Sequence, residues 1–319
     1  MLKTSLVGKH VLVVGATQGI GAATAKRFAA EGASVTLIGR NAALGGEVML
    51  ALERLAPQRQ QQTFAFHQLD VTSIASVKRF CAELVQSHHP DRGGPGLTGL
   101  VLCAGGLNFG PRRETAEGVE RTFAQNYLSR FVFINELLPL LAATKRTGGG
   151  GIAGGRGAAA ASVPGGRVVN VLGAATGGAI NTSDWQLRSG FSFMAANAQA
   201  ASMTDVATRE FARRHGADAA FFHMFPGIVN TSSARNQGFP WWIWFPASFV
   251  LPLIGTPPER IASNIFNIIT APEYGDPKRN GWLVNSKGRE IRPVAAVLKG
   301  GDELGDTVWS YTVDLAKSL

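Results

Sequence analysis

Residues Val11–Gly21 read VLVVGATQGIG, and no other stretch restricts the fold as tightly. Val11 to Val14 form an apolar run too short for a helix, as expected of a strand buried on both faces. Gly15, Gly19 and Gly21 follow, and Ala22–Ala30 then reads as a helix with Gly32 just past its end. Strand, glycine turn and helix together aim backbone N–H groups and a positive helix end at a phosphate. Glycine is needed there because a side chain would block the approach and because the turn can require positive φ.

The spacing Gly15-x-x-x-Gly19-Ile20-Gly21 differs from the general Gly-x-Gly-x-x-Gly dinucleotide turn. It resembles the short-chain dehydrogenase/reductase superfamily, whose usual motif has threonine where this chain has Val14. The segment Thr115–Phe131, TAEGVERTFAQNYLSRF, is most similar to the retinol-dehydrogenase-like branch. The resemblance spans roughly Lys9 to Asn285. It implies an α/β Rossmann-type fold, a doubly wound parallel sheet in a single domain covering 1–319.

The pattern along the chain agrees with that fold. Strands are expected at Ser34–Ile38, Thr63–Leu69, Leu97–Cys103, Arg167–Leu172, Ala219–Phe225 and Gly281–Asn285, the last closing the sheet. Helices are expected at Ala42–Leu55, Ser73–Ser87, Thr115–Leu141 and Phe191–His215. A further helix, capped by Thr256 and opened by Pro257 and Pro258, runs to Ile269. Strands alternating with helices specify a parallel sheet. The Gly/Ala-rich stretch 147–166 breaks the pattern and reads as a flexible insertion, remote from a ligand site at the other sheet edge.

Composition sets the bounds. At 319 residues, 45% hydrophobic and 17% charged, the chain is globular rather than disordered. A formal charge of +9 suits an anionic ligand, but the basic residues are scattered, which argues against nucleic acid. The two cysteines, Cys81 and Cys103, make no disulfide framework and suggest a reducing compartment. With no signal peptide or membrane-length apolar run in view, a cytoplasmic location is expected. No metal site is expected.

For the cofactor, the residue ending the second strand carries the choice. An acid there would bind a ribose 2′-hydroxyl, whereas this chain has Arg40 and no Asp or Glu from Ser34 to Asn41. NADP(H) is therefore expected. The resemblance adds Asp70 and Val71 as the adenine frame. It also adds Ala104 and Gly105 after the fourth strand, where Cys103 replaces the usual asparagine. Pro226, Gly227, Val229 and Thr231 match the family's Pro-Gly-x-Val-x-Thr, so Thr231 would meet the nicotinamide carboxamide. Cys103 reads as a small buried residue rather than a nucleophile.

The catalytic half departs from the family. Its members use a Tyr-x-x-x-Lys pair on the helix after the fifth strand and an upstream serine. The only tyrosines are Tyr127, Tyr274 and Tyr311, and neither tyrosine nor lysine occurs between Arg167 and Ala219. The family serine falls at Gly173. TREFARR, Thr208–Arg214, sets a register that puts Asn197 at the tyrosine and Ala201 at the lysine position. A shifted register gives Phe191 and Ala195 instead. Asn126 stands at the family's catalytic asparagine. Asp184, the only carboxylate from Arg167 to Ala201, is the first candidate for a replacement acid; Arg188, Ser192 and Asn197 are the other local polar groups.

A substrate lid is expected at 236–256. Gly238–Gly255, GFPWWIWFPASFVLPLIG, carries Trp241, Trp242 and Trp244 as candidate contacts to a bulky apolar substrate. Two other readings of 238–255 stay open, a membrane-surface patch and a core or dimer contact. The resemblance also implies a homo-oligomer. The expected function is an atypical oxidoreductase on an apolar carbonyl, alcohol or imine. A non-redox NADP(H)-binding or scaffold protein, and a cofactor-assisted isomerase or cyclase, remain the alternatives.

Overall fold

The structure, a computed structural model, describes residues 5–89, 91, 93–106, 108–146, 165–230 and 255–319. Strand β1 (His10–Val14) is buried throughout. Its residues alternate between two cores: Leu12 and Val14 pack on one face of the sheet, Val11 and Val13 on the other. That double burial is why the run is uniformly apolar instead of alternating. β1 pairs in parallel with β2 (Ser34–Gly39) on one side and β4 (Gly99–Leu102) on the other.

Beyond them lie β3 (Phe64–Gln68), β5 (Arg167–Val171), β6 (Ala220–Met224), β7 (Trp282–Val284) and β8 (Glu290–Ile291). The sheet order is β3-β2-β1-β4-β5-β6-β7-β8. Every pairing is parallel except that of β7 with β8. The order reverses direction between β1 and β4, the place where open α/β sheets leave a crevice at the strands' carboxyl ends.

Helices α1 (Gly19–Ala30), α2 (Ala42–Leu55) and α7 (Pro258–Thr270) cover one face. The other face is covered by α3 (Ile74–His88), α5 (Ser129–Arg146), α6 (Phe193–His215) and α8 (Ala295–Ser318). A short α4 (Arg121–Phe123) and a π-helical turn (Ala124–Leu128) precede α5. No described helix is long and apolar enough to cross a membrane.

Three expectations need correction. The helix expected from Thr115 starts only at Arg121, because Gly118 adopts positive φ and Glu120 caps the next turn, accepting from Thr122 N (2.8 Å) and Phe123 N (2.7 Å). Thr256 does not cap α7. Its backbone bridges Ile228 and Asn230 (2.9 and 3.1 Å), and Pro257 stands at the cap position. β7 is not the last strand: β8 pairs with it, and α8, kinked at Gly301, follows and packs Trp309 against Phe131 and Phe211. The insertion 147–166 lies outside the described residues apart from 165 and 166, which bond to Asp218 O and Leu141 O beside the start of β5.

Candidate functional site

A cleft of about 1200 Å³ runs along the carboxyl edge of the sheet. Its floor at one end is the glycine turn. Gly15 (φ 82°) and Gly19 (φ 56°) occupy the left-handed region. A Cβ on Gly15 would lie 2.4 Å from Ala104 N, and one on Gly21 would lie 2.1 Å from Gly15 O. Turn, helix and β4 end are therefore packed so closely that only glycine fits. The first turn of α1 holds no acid, and no side chain caps it, so its positive end faces the cleft as a phosphate cradle would.

The cofactor candidates converge on this cleft. Ile20 lies beside the turn, Arg40 and Asp70 with Val71 follow β2 and β3, and Ala104 with Gly105 follow β4. Pro226, Gly227 and Val229 close the far end after β6. Arg40 is exposed, and its carbonyl accepts from Gln68 Nε2 at 3.0 Å. Asp70 Oδ1 accepts from Thr72 N (3.0 Å) and Oγ1 (2.9 Å), which pins the turn after β3. Thr231, Trp241, Trp242 and Trp244 lie outside the described residues, as does the lid 236–256 apart from 255 and 256.

At the other end the walls are amides. Asn126 sits in the π-helical turn, a local widening often found at functional sites. Asn126 Nδ2 donates to Gly106 O (2.9 Å) and Asn197 Oδ1 (3.2 Å), and its Oδ1 accepts from Gly106 N (3.1 Å). Asn197 Nδ2 donates to Phe193 O at 2.8 Å. Asn197 and Ala201, one turn apart on α6, both line the cleft, whereas Phe191 and Ala195 of the shifted register do not. Gly173 lines it too, and its missing side chain has a substitute. A Cβ there would lie 2.4 Å from Thr176 Oγ1, which donates to Gly173 O at 2.8 Å.

Asp184 is not brought to this end. It is absent from the cleft lining, and its carboxylate accepts from Ser189 N (2.8 Å) and Arg188 N (2.9 Å). Those two N–H groups hold it below the ordinary carboxylate range. It closes a turn and is poorly suited to donating a proton. No tyrosine, lysine or histidine is among the described residues lining the cleft. Cys103 does line it, but burial pushes its thiol up to about 12, with Arg130 pulling weakly the other way. A thiol so held is not a ready nucleophile.

Three features escaped sequence reasoning. Thr176 is one. The second is Arg130, one helical turn beyond Asn126, whose spacing could have flagged it; its guanidinium donates to Leu102 O (2.8 Å), Ala104 O (2.7 Å) and Val171 O (3.0 Å). The third is a fully buried pair, Asp205 and His223, with Oδ1 2.7 Å from Nδ1. Asp205 also accepts from Ala175 N at 3.1 Å and so holds the loop that carries Gly173 and Thr176. α6 and β6 supply the partners, and nothing in their local sequence announces the pairing.

Residues 9–153 match the family model described as short chain dehydrogenase. The chain is 29% identical to Oxidoreductase AN1596 of Emericella nidulans, over 95% of this chain and 91% of that protein. It is 30% identical to mouse retinol dehydrogenase 14, over 73% of this chain and 65% of that protein. A short chain dehydrogenase from Shigella flexneri, solved in complex with NADP, superimposes with a TM-score of 0.59 at 19% identity, covering 89% of this chain and 99% of that one. With the cleft at the carboxyl edge of a Rossmann-type sheet and these relatives, the chain is similar to the short-chain dehydrogenase/reductase superfamily.

Proposed function

We propose that the chain is an NADP(H)-dependent oxidoreductase acting on a bulky apolar carbonyl, alcohol or imine compound. The observation that carries the reading is the cleft itself. Its floor is a glycine turn whose backbone packing leaves no room for a Cβ, and it is continuous with Arg40 at the end of an acid-free β2. The glycine turn and the α1 N-terminus would hold the pyrophosphate, Arg40 the 2′-phosphate, and Asp70 with Val71 the adenosine. Pro226, Gly227 and Val229 would flank the nicotinamide end, and Thr231 would take its carboxamide. The bound nucleotide supplies a hydride donor or acceptor.

The side chains at the reacting end fit hydrogen bonding better than proton transfer. Asn126 and Asn197 can orient a substrate oxygen or nitrogen, yet neither amide gives up a proton near neutral pH. Protons then come from or go to water in the open cleft. The rim is apolar: Phe193, Met194 and Phe225 line it, with Met194 72% and Phe225 38% exposed. That rim suits an apolar substrate, as does the name of the mouse relative. The aromatic segment 238–255 would close over such a substrate, with membrane or dimer contact as its other uses.

A second reading is favoured by the lack of a tyrosine, lysine or histidine among the described lining residues, whose one carboxylate, Asp70, stands after β3 beside Arg40. In it the protein binds NADP(H) without redox turnover. Calorimetric titration of the purified chain with NADPH and with NADH tests the common part. Tight, NADPH-selective binding supports it, and binding of neither nucleotide refutes it. Oxidation of NADPH in the presence of apolar carbonyl compounds then separates the two readings.

A further inference from the structure

Arg130 projects from α5 toward the carboxyl ends of β4 and β5, where three strand-end carbonyls receive its donors. It is 3% exposed. All 22 Asp and Glu residues lie among the described residues, and no ion pair there includes Arg130. Its Nε is buried without a partner. Burial lowers the guanidinium only to about 10, so it remains a cation at neutral pH. An uncompensated buried cation is costly, and dipoles of carbonyl groups offset only part of that cost.

The charge lies directly beneath the reacting end of the cleft. A Cβ on the cleft-lining Gly105 would lie 3.0 Å from Arg130 Nη2 and 3.3 Å from Asn126 Oδ1. Gly105 thus lines the cleft and packs directly against the guanidinium, which does not itself line it. Two of the three carbonyls it holds belong to Ala104 and Val171, which line the same end. The phosphate-binding turn and Arg40 occupy the opposite end. A dinucleotide laid along the cleft therefore brings its redox-active ring to the Arg130 side.

Resting on the nucleotide reading above, we infer that Arg130 is a positioning charge that makes the site discriminate between the two redox forms, binding NADPH more tightly than NADP⁺. The oxidised ring carries a positive charge and the reduced ring none. A unit charge acting over roughly 10 Å at an effective dielectric near 20 shifts such an equilibrium by about tenfold. By the closed thermodynamic cycle, the same factor displaces the equilibrium between the bound forms toward the reduced one. Arg130 would thereby favour hydride acceptance on the protein over hydride donation.

The test is calorimetric titration of the full chain, of Arg130→Lys and of Arg130→Gln, each with NADPH and with NADP⁺. The expected result is NADPH about tenfold tighter in the parent, a ratio kept in Arg130→Lys, and a ratio below about threefold in Arg130→Gln. A merely structural role would weaken both forms alike and leave the ratio unchanged. Equal affinities in the parent overturn the inference while leaving the nucleotide reading intact, and so does an undiminished ratio in Arg130→Gln. Binding of neither form overturns both. If Arg130→Gln does not fold, the parent ratio decides.

Discussion

Asp205 offers the sharpest stability test, because its environment is fully enclosed and independent of any ligand. Its side chain and that of His223 are 0% exposed. The carboxylate accepts from His223 Nδ1 at 2.7 Å and from Ala175 N at 3.1 and 3.3 Å. Ala175 adopts φ 58°, a conformation unfavourable for a residue with a Cβ, so this contact also restrains a strained turn. Asp205→Ala leaves the buried His223 donor and the part-buried Ala175 N–H without an acceptor, at about 1–3 kcal/mol each, and opens a cavity beside them. A loss of about 3–5 kcal/mol follows. Asp205→Asn keeps one acceptor oxygen and is expected to lose about half as much. Equilibrium urea unfolding reads the difference: at a slope near 3 kcal/mol/M, the Ala variant's midpoint falls by about 1 M or more. A loss under about 1 kcal/mol for Asp205→Ala, or equal losses for the two variants, would refute the reasoning.

Three further outcomes are expected. Arg40→Ala weakens NADPH about 10- to 100-fold and NADH by less than about twofold in calorimetry, since only the former has a 2′-phosphate to lose; an equal effect on both removes Arg40 from that role. Gly15→Ala, with its Cβ 2.4 Å from Ala104 N and φ 82°, forces β4 and the turn apart. It should destabilise by about 2–4 kcal/mol in thermal melts and abolish nucleotide binding; parent-like affinity would contradict the packing. Burial and the neighbouring His88 lower His10 from 6.5 to about 4. Above pH 6.5 both folded and unfolded chains hold this ring neutral. As pH falls toward 4 the unfolded chain takes a proton that the folded one refuses, so stability drops by up to about 3 kcal/mol. Urea midpoints of His10→Gln should show a shallower slope over that range, and an identical slope would exclude His10 as the cause.

Most of the element order could be read from periodicity, because each buried strand is an apolar run flanked by turn residues and each helix presents one apolar stripe. Ala42–Leu55 was legible to the residue: Asn41 caps it, accepting from Leu44 N at 3.0 Å. The start of the helix carrying Asn126 was not, since the positive φ of Gly118 and the carboxylate cap at Glu120 delay it to Arg121. The C-terminal helix beyond β8 was missed because the family resemblance ends near Asn285. The glycine turn and Arg40 are contiguous with their strands, so the sequence alone placed them at the strand ends.

By itself the sequence determined the chain's class, its glycine turn, and the lack of a Tyr-x-x-x-Lys pair between Arg167 and Ala219, since counting residues needs no coordinates of any kind. It could also place Asn197 and Ala201 four residues apart, hence on one helix face. Only the tertiary structure decided which face meets the cleft, that Asp184 is spent on a turn, and that Thr176 fills the space left by Gly173. The same holds for Arg130 beneath Gly105 and for Asp205 against His223. The last two contacts join residues 25 and 18 positions apart, brought together by strand order and helix docking. Local pattern encodes the period of each element, whereas the distances between side chains on different elements exist only once the sheet has formed.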